Sequence, residues 1–167
     1  VDEYELYGSE FEVNDVTCAS GYEGTAVAVV CETDGPYTMT GCDPIVCTRP
    51  SSSHYDFTNV VEGNLDLSSG SFDVTGLDCA TGYDGTAVAA ACTTSGPYDV
   101  SGCSEVTCTS VTSAPAGYDF TNVDEYELYG SEFEVNDVTC DTANGYEGTA
   151  TPVVCATDGT PYTMTGC

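Results

Sequence analysis

Cysteine spacing constrains this chain more than any other feature. Cys18, Cys31, Cys42 and Cys47 recur as Cys79, Cys92, Cys103 and Cys108, each 61 residues later. A third set opens at Cys140 and continues through Cys155 and Cys167. Repetition at a fixed period of this length implies an array of small modules, and function then belongs to the array. The 167 residues divide into two complete units and one partial unit, of about 60 residues each. A unit that small buries too little surface to be comfortably stable and calls for covalent staples. Disulfides fit better than zinc here. Zinc-binding cysteines come in close C-x2-C pairs, usually with histidine, whereas the shortest gap is Cys42 to Cys47 and the only histidine is His54. Persistent disulfides imply an oxidising setting, secreted or at a cell surface.

Charge narrows the partners. One Arg, no Lys and 28 acidic residues give a formal net charge of -27. Nucleic acid is excluded, because displacing phosphate counterions needs Lys and Arg, and anionic membranes repel such a surface. The remaining partners are cations, basic proteins or sugars. Carboxylates on every face also keep a Tyr-rich chain soluble and oppose side-by-side sticking. Calcium is the sharper alternative, but no D-x-D-x-D-G loop occurs, and Glu32-Thr33-Asp34-Gly35 is an ordinary turn sequence. The opening Val1-Asp2-Glu3-Tyr4 is acidic, unlike a signal peptide, and suggests a mature or excised fragment. The longest apolar run, Thr25 to Cys31, is strand-length and far short of the roughly 20 residues that cross a bilayer.

Short runs of Val, Phe, Tyr and Leu, broken every few residues by Gly, Pro, Asn or Asp, predict an all-β chain. Phe11 and Val13 alternate with Glu10 and Glu12, as on a strand with one face on a small core, and Phe72, Val74, Phe133 and Val135 repeat the pattern. Gly21-Tyr22-Glu23-Gly24-Thr25-Ala26 returns as Gly82 to Ala87 and Gly145 to Ala150. Glycines at those fixed offsets predict a turn with special backbone angles. The repeated Tyr22, Tyr83 and Tyr146 read as core packing.

Begun at the fourth cysteine, the unit reads Cys47-Thr48-Arg49-Pro50, Cys79-Ala80-Thr81-Gly82-Tyr83-Asp84-Gly85, Cys92 with Gly96 and Tyr98, and Gly102-Cys103. It resembles a sushi module, or complement control protein repeat, in length, in its four cysteines, in the C-x2-P start and in C-x2-G-Y-x-G. The resemblance extends over essentially the whole chain. It implies a partial module over residues 1–46 that lacks its first segment, and modules over 47–107 and 108–167, joined by linkers Asp43 to Val46 and Ser104 to Thr107. The family's core Trp is replaced by Tyr37, Tyr98 or Tyr162, and Val111 stands where Pro50 does in the preceding module. Four cysteines allow three connectivities. The resemblance implies first-to-third and second-to-fourth pairing: Cys47 with Cys92, Cys79 with Cys103, Cys108 with Cys155, Cys140 with Cys167, and Cys18 with Cys42.

Cys31 is then left over, unpaired or bonded between chains. The sequence is a window cut from a longer chain, or a neighbouring chain supplies the missing strand and thiol, or Cys31 is free. Residues 1–18 repeat unchanged as residues 123–140, two modules later, whereas the middle module differs. The true repeat is therefore a pair of modules, which suits a polymer or chains that complete one another head to tail by strand addition.

The inventory for chemistry is thin. His54 sits in a polar Ser-rich segment; nucleophilic catalysis needs a base within reach and a third orienting group, and two of the three modules have no histidine at all. The carboxylates fall on solvent faces rather than across a cleft. No phosphate loop or dinucleotide fingerprint occurs. The chain is read as not an enzyme, with no cofactor. The Ser/Thr-rich starts of the second and third modules are candidate O-glycosylation sites at Thr48, Ser51, Ser52, Ser53, Thr109, Ser110, Thr112 and Ser113. No Asn lies in an N-glycosylation motif.

These features together predict tandem, acidic, disulfide-stapled all-β modules. They would build an extracellular filament or stalk from copies of the chain, with covalent glycans as possible decoration and no membrane insertion. The alternative is an extracellular binding or adhesion protein recognising proteins or glycans, as sushi modules do elsewhere. Binding arrays vary their surfaces from module to module, whereas a structural polymer keeps identical copies.

Overall fold

A computed structural model describes residues 2–6 and 8–167; Val1 and Tyr7 of the repeated segment lie outside the described residues. The chain is all-β and disulfide-stapled. Around the first cysteine set lie β1 (Asp2–Glu5), β2 (Glu12–Asn14), β3 (Tyr22–Val29) and β4 (Thr38–Pro44). The second set holds β5 (Cys47–Thr48), β6 (Tyr55–Asp56), β7 (Val61–Asn64), β8 (Asp73–Thr75), β9 (Asp78–Cys79), β10 (Tyr83–Ala90), β11 (Gly96–Pro97) and β12 (Asp99–Glu105). The third holds β13 (Tyr118–Asp119), β14 (Asp124–Glu127), β15 (Glu134–Asn136), β16 (Thr139–Cys140), a single 3-10 turn at Thr142–Asn144, β17 (Thr151–Val153) and β18 (Thr163–Thr165). Every sheet among the described residues has two strands. Sheets that narrow have little independent stability. Five disulfides supply what they lack: Cys18–Cys42, Cys47–Cys92, Cys79–Cys103, Cys108–Cys155 and Cys140–Cys167.

Two compact units are formed, one from residues 1–50, 61–75 and 89–100 and the other from 51–60, 76–88 and 101–167. The border runs through β10 and β12, so the second cysteine set contributes to both. Each unit therefore contains one linker and the ends of two successive repeats.

In the first unit, the antiparallel hairpins β1/β2, β3/β4 and β7/β8 accompany a parallel pair, β5 with β11. The alternation at Phe11 and Val13 is realised in β2, where Val13 is half-buried between exposed Glu12 and Asn14. Ile45, Cys47, Cys92 and Tyr98 are its fully buried apolar residues. The second unit pairs β6 with β9, β13 with β16, β14 with β15 and β17 with β18, all antiparallel. Its core gathers Val106, Cys108, Val135, Cys155 and Tyr162, with Phe120, Phe133 and Leu128 packed around them. Half of the ten buried apolar residues named across the chain are cysteines, so the staples are also much of the core.

The Gly-Tyr-x-Gly segments do hold special angles. Gly24, Gly85 and Gly148 all have positive φ, and each faces a second positive-φ glycine, Gly41, Gly102 or Gly166. A Cβ on either member would collide with the other's carbonyl oxygen or with the carbonyl of the adjoining Thr. Glycine is thus required at both positions for the two backbones to approach. The tyrosines between these glycines depart from the core reading. Tyr22 and Tyr146 are exposed, and Tyr83 is half-buried against His54. Tyr146 packs instead on the backbone of Gly117, where a Cβ would strike its ring.

Candidate functional site: the linkers and the groove at Cys31

The linkers are not loose tethers. Ile45 and Val106, at equivalent places, are buried at 8% and 0% exposure. Each is hydrogen-bonded in both directions. The Ile45 amide donates to the Gly21 carbonyl at 2.9 Å and its own carbonyl accepts from the Leu67 amide at 3.0 Å. The Val106 amide donates to the Gly82 carbonyl at 3.0 Å and its carbonyl accepts from the Gly130 amide at 2.8 Å. A backbone placed between two partners in this way satisfies its polar groups while excluding water. Close approach again demands glycine, since a Cβ on Gly82 or Gly130 would meet the other's backbone.

Carboxylates fasten the same junctions. Glu23 accepts from the Ser95 amide at 3.1 Å, and the Ser95 hydroxyl accepts from the Val46 amide at 3.1 Å. In the second unit, Glu105 accepts from the Ser131 amide at 2.8 Å, and Asp158 accepts from the Thr107 amide at 2.7 Å. The hydrogen bonds from Ser131 hold the Glu105 carboxyl below its usual range. Part of the acidic inventory is therefore consumed in capping backbone amides, a role that composition alone does not reveal.

Beside each first strand lies a Tyr–Glu pair. Tyr98 donates to Glu62 at 3.1 Å, Tyr162 donates to Glu125 at 2.8 Å, and Tyr37 donates to Glu3. Burial, then the carboxylate, pushes the Tyr98 and Tyr162 phenols up. The rings meet phenylalanine edges at 5.6 Å from Phe72, 5.7 Å from Phe133 and 5.7 Å from Phe11. Each tyrosine hydroxyl needs the acceptor that Glu provides. The Glu partners were not singled out by sequence, although they recur at equivalent places. A third side chain, two residues after the first cysteine, also reaches that Glu. Arg49 Nε donates to Glu62 at 2.9 Å, and the Ser110 hydroxyl donates to Glu125. The Arg49 hydrogen bond holds the Glu62 carboxyl low.

Cys31 is the one free cysteine among the described residues and is half-buried. It lies in an open groove of about 390 Å³ with Val29, Val30, Gly35, Pro36 and Thr38. At the matching places Cys92 is bonded to Cys47 and Cys155 to Cys108. His54 stacks on Tyr83 with centroids 4.5 Å apart and its amide donates to the Ser52 hydroxyl. Among the described residues, no group of three or more His, Cys, Asp or Glu is placed to hold a metal ion. No helix of the described residues is long and apolar enough to cross a membrane. Of the Ser and Thr proposed for glycans, Thr48, Ser51, Ser53, Thr109, Ser110, Thr112 and Ser113 are exposed; Ser52 is half-buried, and the Ser110 hydroxyl is taken up by Glu125.

Fold and site together define a class, an array of small all-β disulfide-stapled modules with hydrogen-bonded junctions. No protein-family model, curated protein or solved structure matches the chain.

Proposed function

We propose that this chain is a structural protein, a building block of an extracellular filament or stalk made of sushi-like modules joined head to tail. One observation carries the proposal: residues 123–140 repeat residues 1–18 without a change. Selection for a varied binding surface diversifies neighbouring modules, whereas a polymer reuses one. The junction chemistry supports it, because the same two-way backbone bonding of the linker occurs at Ile45 and at Val106 and can be propagated indefinitely. Five disulfides suit an oxidising, extracellular setting. The chain has no catalytic role in this account, and exposed Ser and Thr such as Ser51, Ser53, Thr112 and Ser113 offer positions for covalent glycans.

Electron microscopy of native material, with and without reductant, tests the proposal. Filaments whose axial repeat corresponds to two modules are expected, and reductant should break them. Dispersed single molecules under both conditions would defeat it and favour the binding or adhesion alternative.

A further inference from the structure

We propose that Tyr126, together with Tyr4 of the identical segment, is an acceptor for O-sulfation, its phenol converted to a sulfate ester by a transferase that recognises the carboxylates around it. The inference rests on the extracellular setting proposed above and is independent of assembly into a filament.

Among the described residues Tyr126 is the most exposed of the large apolar side chains, at 65%. The strand register explains why. Asp124 faces Asn136 and Glu125 faces Val135, but Glu127 faces Glu134, so Tyr126 is the residue that the ladder skips. A bulge of this kind re-aims a side chain out of the regular pleat. Glu125 turns inward to Tyr162 beside the buried Val135, and Tyr126 is left on the solvent side. The hydroxyls of Tyr98 and Tyr162 are taken up by glutamates, whereas that of Tyr126 makes no hydrogen bond among the described residues. β14 pairs with β15 alone there, so its second edge is open to an enzyme that grips an extended strand.

Charge indicates which reagent suits that hydroxyl. Asp124, Glu125 and Glu127 flank Tyr126 in sequence, and Glu134 lies across the ladder. A transferase for sulfate must be cationic at its active site, because the donor it holds, a phosphosulfate anhydride, is a polyanion. An acceptor set among carboxylates complements that cleft, and a neutral acceptor does not. Tyr129 is the internal contrast: it is 52% exposed but lies between Leu128 and Gly130. In the middle repeat the bulge falls on Gly63, where a Cβ would meet the Asp73 carboxylate, while the shift between Glu3 and Glu5 places Tyr4 at the bulge again. Alternate modules thus offer a tyrosine. A sulfate there stays ionised at pH values that protonate carboxylates, and it opposes side-by-side sticking.

The covalent step is a group transfer without redox change. The Tyr126 phenol oxygen attacks the sulfur of the phosphosulfate anhydride while its proton passes to a base of the transferase. The new O–S bond forms as the bridging S–O bond breaks, and the phosphate leaves with the electron pair.

Peptide mapping of native material by mass spectrometry is the first test. The segment shared by the two copies should carry one added sulfo group on its first tyrosine, removed by an arylsulfatase and not by a phosphatase, with Tyr129 and the buried Tyr162 unmodified. The second test treats the intact chain with a tyrosylprotein sulfotransferase and a radiolabelled phosphosulfate donor, on a Tyr4→Phe background so that Tyr126 alone reports. Tyr126→Phe should abolish incorporation, and Tyr129→Phe should leave it unchanged. Asp124→Asn with Glu127→Gln should lower its rate about tenfold. That pair of substitutions relieves the opposed Glu127 and Glu134, so a lower rate cannot be ascribed to a lost contact. Native Tyr126 without added mass, a phosphatase-sensitive group in its place, or incorporation indifferent to the two amides would overturn the inference. Sulfated Tyr126 on dispersed single molecules would uphold it and remove the filament reading.

Discussion

Tyr98 and Tyr162 each have an apolar ring in a small core and a hydroxyl that must be satisfied there, at 1% and 2% exposure. Removing the hydroxyl leaves the Glu partner short of a donor, and removing the ring leaves a cavity. Tyr162→Phe is therefore expected to cost about 1–2 kcal/mol, and Tyr162→Ala about 3–5 kcal/mol, measured by denaturant unfolding without reductant. Both phenols are held above the usual value of 10.0, so the protonated form is the one favoured in the fold. The stability they contribute is present in full below that value and lost as pH rises through the folded pKa. Glu62 has the opposite sign: Arg49 lowers it from 4.5, so its contribution exists above that value and fades as pH falls. The Arg49–Glu62 pair is partly exposed and screened, worth less than about 1 kcal/mol. Thermal midpoints should accordingly fall above about pH 10 more steeply in the unsubstituted chain than in Tyr162→Phe, and absorbance titration should find Tyr98 and Tyr162 ionising above the usual value.

At the level of elements, the glycine pairs decide whether the Gly-Tyr-x-Gly turn can form. Gly85→Ala would set a Cβ against the carbonyl of Gly102, while Gly145→Ala, also at positive φ, has nothing within 4 Å of its new Cβ. The first substitution combines collision with strain and should cost more than about 3 kcal/mol; the second carries strain alone, about 1 kcal/mol. Urea unfolding of the two variants checks the contrast, and equal losses would show that backbone approach is not what the glycine permits. The strand pattern at Phe11, Val13, Phe72, Val74, Phe133 and Val135 was legible because period-two alternation survives in so short an element. The two-residue strands β5, β6, β9, β11, β13 and β16 were not. They have no internal periodicity and are defined by pairing with segments distant in sequence, as Cys47–Thr48 is with Gly96–Pro97.

For the molecule as a whole, the disulfides outweigh any single contact. They close loops between residues 24 to 47 apart, each worth about 3–4 kcal/mol on a chain-entropy basis. With two-stranded sheets and a core half made of cysteine, reduction should abolish the cooperative thermal transition at and above about 37 °C, followed by circular dichroism with and without reductant. A transition that persists in reductant would mean that the apolar contacts suffice. The junctions work at the same scale, since the bonds to Ile45 and Val106 make each linker part of a compact unit rather than a hinge between independent beads.

The sequence by itself determined the period, the all-β class, the need for covalent staples and the paired-module repeat, because spacing, alternation and composition are local properties of a chain. It left three connectivities for four cysteines, took Tyr22 and Tyr146 for core, and treated Asp43 to Val46 and Ser104 to Thr107 as connectors. Only the tertiary structure decided which carboxylates cap amides, which tyrosines are buried on a glutamate, and that Cys31 lines an open groove. Those facts depend on which backbones lie side by side, and proximity between residues distant in sequence is set by packing rather than by any local pattern.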